Sequence, residues 1–244
     1  MNFSHPKTHI LPIFEPLMTA PFVDIHTHHP AATEQCVSVR NLDLEADVPA
    51  LGYFSCGIHP WALDDERFVS EKALQYIENQ LSNSNVIALG EVGLDRLHKA
   101  SLERQMAVFE RQIALSEQYC KPLLIHNVKC NGEIMALRKR CKPQQTWILH
   151  GFNGSLQEVE QLLDYGFCFS VGKALVNPER KIRKSLKTIP LENLFFETDT
   201  ASISVEKVYQ EAAVLLEMPM DALRERIFAN FARIFGDNYG RLAR

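Results

Sequence analysis

The sequence predicts an α/β fold, a single (β/α)8 TIM barrel with its site at the C-terminal ends of the strands, and three observations predict it. From Phe22 onward, short β-branched or aliphatic runs alternate with longer amphipathic segments, the pattern of a parallel sheet wrapped by helices. Eight such runs can be counted, and 244 residues is a usual length for one undivided barrel. No glycine-rich GxGxxG turn follows the first run, which weighs against an open dinucleotide-binding sheet.

Taken in order, residues 1–20 come first. Pro6, Pro12 and Pro16 interrupt them and no long apolar run is present, so they read as neither a secretory signal nor a membrane span. They are set apart as an N-terminal extension, with Met18 as an alternative start, and 21–244 is taken as the barrel domain. The strands are placed at 22–26 (FVDIH), 36–40, 52–58, 86–90 (VIALG), 122–126 (PLLIH), 146–150 (TWILH), 167–170 and 194–198 (LFFET). Apolar residues at three- and four-residue spacing predict helices over 69–82, 101–120, 131–141 and 155–165. Ser155 followed by Glu158 is a capping-box pattern, whereas Ser101 has Arg104 in the corresponding place. Two last helices, 205–216 and 219–235, close the chain, the second starting at Pro219.

Hydrophobic residues at 46% and charged residues at 23% suit a globular chain with a sizeable core. The formal charge of −4 excludes a basic body that coats nucleic acid, so a phosphate-binding surface must be local. The six cysteines form no CxxC pair and read as reduced thiols in a cytoplasmic protein.

Strand after strand ends in a residue of metal-ligand type: His26 and His28 on the first, Glu91 after the fourth, His126 on the fifth, His150 on the sixth and Asp199 on the eighth. In a parallel barrel these ends face one rim, where active sites of this fold are built. His26 and His28 are two apart, so both point to one side of an extended strand while Thr27 points away. Glycines flanking Glu91 in LGEVGLD leave room for its carboxylate to reach inward and bridge two cations. Asp199 is placed as ligand and proton acceptor, with Glu197 in support behind it. Asp24 is a weak candidate and Asp95 a residue that orients the Glu91 loop, while His5, His9, His29 and His98 read as surface or terminal residues.

DIHTH (24–28), GIHPW (57–61), GEVGLD (90–95), IH (125–126), HGFNG (150–154), ETD (197–199) and NFARIF (230–235) occur in an order that resembles the TatD family of metal-dependent deoxyribonucleases, from Phe22 to about Phe235. The resemblance implies one ion held by His26, His28, Glu91 and Asp199 and a second by Glu91, His126 and His150. It implies that His59 sits near the substrate phosphate, and that DNA ends or short single strands are trimmed from the 3′ side. Three features depart from the family pattern: HNVK in place of an arginine after His126, ETDTA without a following proline, and the extension. Lys129 is assigned the missing positive charge, as a point charge rather than a fork.

The donor set suits zinc, manganese, nickel or iron, and magnesium less comfortably. The same ions attack carbonyl and phosphoryl centres alike, so a small-molecule phosphoesterase, an amidohydrolase or a lactonase is the alternative. The segment 172–184, GKALVNPERKIRK, suits an anionic ligand or reads as a solvated basic helix start. No membrane and no obligate protein partner are expected.

Overall fold

The eight hydrophobic runs become eight strands, all parallel and paired in sequence order. They are β1 (Phe22–Thr27), β2 (Cys36–Asn41), β3 (Tyr53–Cys56), β4 (Val86–Asp95), β5 (Leu123–Val128), β6 (Trp147–Leu149), β7 (Cys168–Val171) and β8 (Leu194–Phe196). The computed structural model describes residues 19–30, 35–69 and 71–239, so the extension expected at 1–20 lies, but for its last two residues, outside the described residues, as do His5 and His9. An isolated parallel bridge between Thr27 and Asp199 joins β8 back to β1, and the order of the sheet is that of a barrel.

Seven helices lie among the described residues: α1 (Glu71–Leu81), α2 (Leu102–Gln118), α3 (Asn131–Cys141), α4 (Leu156–Asp164), α5 (Ile182–Ser185), α6 (Val205–Leu216) and α7 (Met220–Tyr239). All but α5 were expected. The single turn of α5 is too short for helical periodicity to show in the sequence. Ser155 and Glu158 form the expected reciprocal capping box on α4, and Ser101 caps α2 by accepting from the Arg104 amide. Such caps are each worth about 1 kcal/mol.

The fourth strand corrects the sequence reading. Glu91 does not follow β4 but lies inside it, because the strand runs five residues past Leu89–Gly90 to Asp95 and every residue of it is buried. Its pairing with β5 shifts register between Leu89 and Val92. The glycines that suggested a loop are required by close approach: a Cβ on Gly90 would lie 2.6 Å from Leu124 Cβ, and one on Gly93, at φ +134, would run into the carbonyl of His126. The irregular pairing carries Glu91 inward while the strand continues.

Helix α2 packs against β4, and its buried face mixes apolar Val108, Phe109 and Ile113 with Gln105, Gln112 and Ser116. Buried polar side chains need partners, and these find them on strand ends. Gln112 exchanges two hydrogen bonds with the main chain of Ile58, at 2.7 and 3.1 Å. Gln105 does the same for Asp95, at 2.7 and 3.0 Å. One helix thereby fixes the backbone beside His59 and beneath His126. No helix among the described residues is long and apolar enough to cross a membrane. The six cysteines are all free.

Candidate metal centre

His26 and His28 leave β1 on one side, as an extended strand dictates, and each places Nε2 3.4 Å from Glu91 Oε2 and 3.7 Å from Asp199 Oδ1. The other carboxylate oxygen, Glu91 Oε1, faces His150 Nε2 at 2.6 Å, His126 Nδ1 at 3.2 Å and His59 Nε2 at 3.4 Å. Glu91 therefore stands between two groups of imidazoles, one per oxygen. Its own amide donates to Asn41 Oδ1 at 2.9 Å, which ties the β4 turn inward to β2.

Asp199 has φ +54, a left-handed conformation that aspartate tolerates better than most residues. Its amide donates to the His26 carbonyl at 2.9 Å, and its carbonyl accepts from the His28 amide at 3.1 Å. Beneath it, Asp24 accepts from the Thr198 amide at 2.9 Å and hydroxyl at 2.6 Å. Burial pushes the Asp24 carboxyl up to about 7. Asp24 thus braces the seam rather than entering the cluster.

Asp95 also has a defined place. Its Oδ2 accepts from Trp61 Nε1 at 2.7 Å and lies 3.3 Å from His126 Nε2, while Oδ1 accepts from the Leu97 amide. A carboxylate against Nε2 fixes the His126 proton there and leaves Nδ1 free for the centre. Glu197 plays a similar part for His150, whose Nδ1 lies 3.6 Å from Glu197 Oε1; that oxygen also accepts from the Gly151 amide. His59 Nδ1 accepts from the Trp61 amide, so the neutral ring carries its proton on Nε2 and presents a donor rather than a ligand to the cluster. Burial lowers the His59 pKa and keeps that ring neutral.

The electrostatics favour a cation here. Burial works against ionisation of Glu91, yet the charge of His150 and the close imidazoles of His126, His150 and His26 hold its carboxyl far below the usual range. Burial also opposes a charge on His150, but Glu91 and Glu197 outweigh it and raise its pKa well above the ordinary value. Both ring nitrogens of His26 and of His150 are buried without a hydrogen-bond partner, His150 Nε2 despite its 2.6 Å approach to Glu91. Unsatisfied buried imidazole nitrogens aimed at carboxylates fit a divalent ion better than they fit an all-protein network. Three triplets have donor atoms within 4.8 Å of one another: His26, His28 and Glu91; His26, His150 and Asp199; His59, Glu91 and His126.

The cluster opens into a cavity of about 550 Å³ lined by His28, Asn41, Trp61, Glu91, Lys173 and Asp199 among others. Lys129 is exposed at the end of β5 and is not among the lining residues; its carbonyl accepts from Arg96. Lys173, singled out in the sequence only as part of a basic segment, does line the cavity. The remainder of that segment is partly paired, Lys181 with Glu158 and Arg183 with Glu211. His98 is not a free surface residue as expected: it lies 3.0 Å from Asp64 and stacks on Trp61.

A barrel that gathers imidazoles and carboxylates at its C-terminal rim defines the class of metal-dependent barrel hydrolases. The model of the family described as TatD related DNase matches residues 25–236, and the chain belongs to that family as a metal-dependent hydrolase. It is similar to the uncharacterized metal-dependent hydrolase YjjV of Escherichia coli, 29% identical over 84% of each chain. The crystal structure of YjjV superposes with a TM-score of 0.79, covering 90% of this chain and 99% of that one at 24% identity. The fission yeast Schizosaccharomyces pombe deoxyribonuclease Tat-D is 26% identical over 64% of this chain and 52% of its own length. The human 3'-5' RNA nuclease TATDN2 is 34% identical over 61% of this chain and 20% of its own.

Proposed function

We propose that the chain is a deoxyribonuclease that trims DNA ends or short single strands from the 3′ side by two-metal activation of water. The observation that carries this reading is the division of Glu91, with Oε2 facing His26 and His28 and Oε1 facing His126 and His150. Two ions about 3.5–4 Å apart repel one another, and a shared carboxylate offsets that repulsion. In this reading His26, His28, Glu91 and Asp199 hold one ion, and Glu91, His126 and His150 the other. Zinc, manganese, nickel or iron suits the nitrogen-rich set, magnesium less well.

Bound ions supply a water of lowered pKa and offset charge on the phosphodiester. Asp199, kept ionised by the neighbouring His26 and His150 despite its burial, accepts the proton of that water. His59 donates a hydrogen bond from its Nε2–H to a phosphate oxygen and keeps the proton. Lys129, outside the cavity lining, acts on the flanking backbone of a strand longer than the cavity. The description of the matched family and the name of the fission yeast relative support DNA as substrate, and the name of the human relative supports 3′ polarity. We take 21–244 as the barrel domain with 1–20 as an extension, and the six free cysteines support a cytoplasmic location.

A cavity of about 550 Å³ is also of the size that takes a whole small ligand, which favours a small-molecule phosphoesterase, amidohydrolase or lactonase as the second reading. The test is cleavage of end-labelled single-stranded DNA by protein stripped of metal and reloaded with Mg²⁺, Mn²⁺ or Zn²⁺. Shortening is expected with about two ions bound per chain, reduced about 10²–10³-fold or more in Glu91→Gln and Asp199→Asn. Full metal occupancy without cleavage would move the assignment to the small-molecule reading.

A further inference from the structure

The chain has two tryptophans, and they have opposite environments. Trp147 is wholly buried on β6, whereas Trp61 is 57% exposed in the lining of the cavity. An exposed indole is ordinarily free to move, but this one is held on several sides. Its Nε1 donates to buried Asp95, its ring stands edge-on to His59 at 5.1 Å, and it lies nearly parallel to His98 at 6.0 Å and 21°. His98 is itself held by Asp64. The fold keeps a large flat apolar surface rigid and in contact with water, directly beside the imidazole and carboxylate cluster. Such a surface is suited to stacking a flat ligand at little cost in conformational freedom. Lys173, with no ion-pair partner among the described residues, lines the same cavity and supplies a positive charge to it.

We infer that Trp61 is the stacking platform for the unpaired terminal base of a single-stranded DNA end, with Lys173, elsewhere in the lining of the same cavity, for the backbone phosphate. The inference rests on the nuclease reading and deepens it. An unpaired terminal base is free to swing onto an indole beside the cluster, whereas a base in a duplex end is held by its pairing and its stack, and the platform accepts every base because each has a π-face. The substrate is therefore an unpaired end without strong sequence preference.

Binding is measured on chelator-treated protein, where cleavage does not compete, by anisotropy of a 5′-labelled oligothymidylate and by quenching of intrinsic fluorescence. Quenching reports Trp61, since Trp147 is inaccessible. Wild type is expected to bind the base-ended strand about 5- to 150-fold more tightly than one with an abasic 3′ nucleotide. Trp61→Phe and Trp61→Leu both delete the bond to Asp95, but only phenylalanine keeps an aromatic face. Phenylalanine is expected to retain the preference and leucine to abolish it. Equal behaviour of the two variants, or indifference of wild type to the missing base, would overturn the platform. Metal-dependent cleavage alongside such indifference leaves the nuclease reading standing without it. Base-selective binding with no cleavage under any metal supports the platform and removes the nuclease reading.

Discussion

His26, His28 and Asp199 owe their positions to main chain, whereas His126 and His150 owe theirs to other side chains. On the β8–β1 side, the hydrogen bonds that close the barrel run through the candidate ligands themselves, from the Asp199 amide to His26 and from the His28 amide to Asp199. Asp24, Thr198 and Thr27 lock the same seam from below. On the β4–β6 side, β4–β5 pairing resumes after its register shift and runs to the rim, and ring orientation is set by Asp95 and Glu197, with Gln105 holding Asp95 in turn. The difference teaches that one half of the site is inseparable from closure of the fold, while the other is a polar frame placed on strands already paired.

The largest expected effect follows from breaking the seam. Asp24→Ala leaves the buried Thr198 amide without its acceptor and the hydroxyl with Thr27 alone, at about 3 kcal/mol for the two together. Thermal unfolding is expected about 6–12 °C lower, with Asp24→Asn, which can still bond to both groups, close to wild type. An intermediate effect is expected in the frame. Asp95→Asn has one acceptor oxygen where two serve now, so it cannot satisfy both the Leu97 amide and the Trp61–His126 pair, and it removes the negative charge against His126; metal affinity measured by calorimetric titration is expected to fall about 10- to 100-fold. Its metal-free melting temperature is expected within about 4 °C of wild type; a loss as large as that of Asp24→Ala would erase the distinction between the halves. The smallest effect is a change in amide exchange. Chelation is expected to speed exchange at His28 and Asp199 by about tenfold. The Arg96 amide, which bonds to Val128 across the β4–β5 rim, is expected to exchange at an unchanged rate.

The seam half was the more legible in the sequence. HTH on a strand reports side-chain direction through a period of two, and ETD directly follows an apolar run, so local pattern alone aligned those residues. The frame half rests on contacts with partners tens of positions away. Asp95 reads as a loop residue because glycine is depleted in strands, and the close approach of β5 that demands Gly90 and Gly93 has no local signature. Trp61 was present in the GIHPW motif without a role, since exposure at a cavity mouth is a tertiary property. The sequence singled out Lys129 and left Lys173 within a basic segment; the path of the chain after β7, which no local pattern reports, brings Lys173 into the lining.

The Asp24–Thr198 hydrogen bond spans 174 positions of sequence. Contacts between such distant segments carry a large loop-closure entropy when formed early, and that entropy falls once the intervening strands and helices have organised. The first and last strands are accordingly expected to meet late in folding, and with them His26, His28 and Asp199. A nascent or partly folded chain then carries the candidate ligand residues but not their arrangement, and a metal held at the finished seam would act as a latch on the final step of folding.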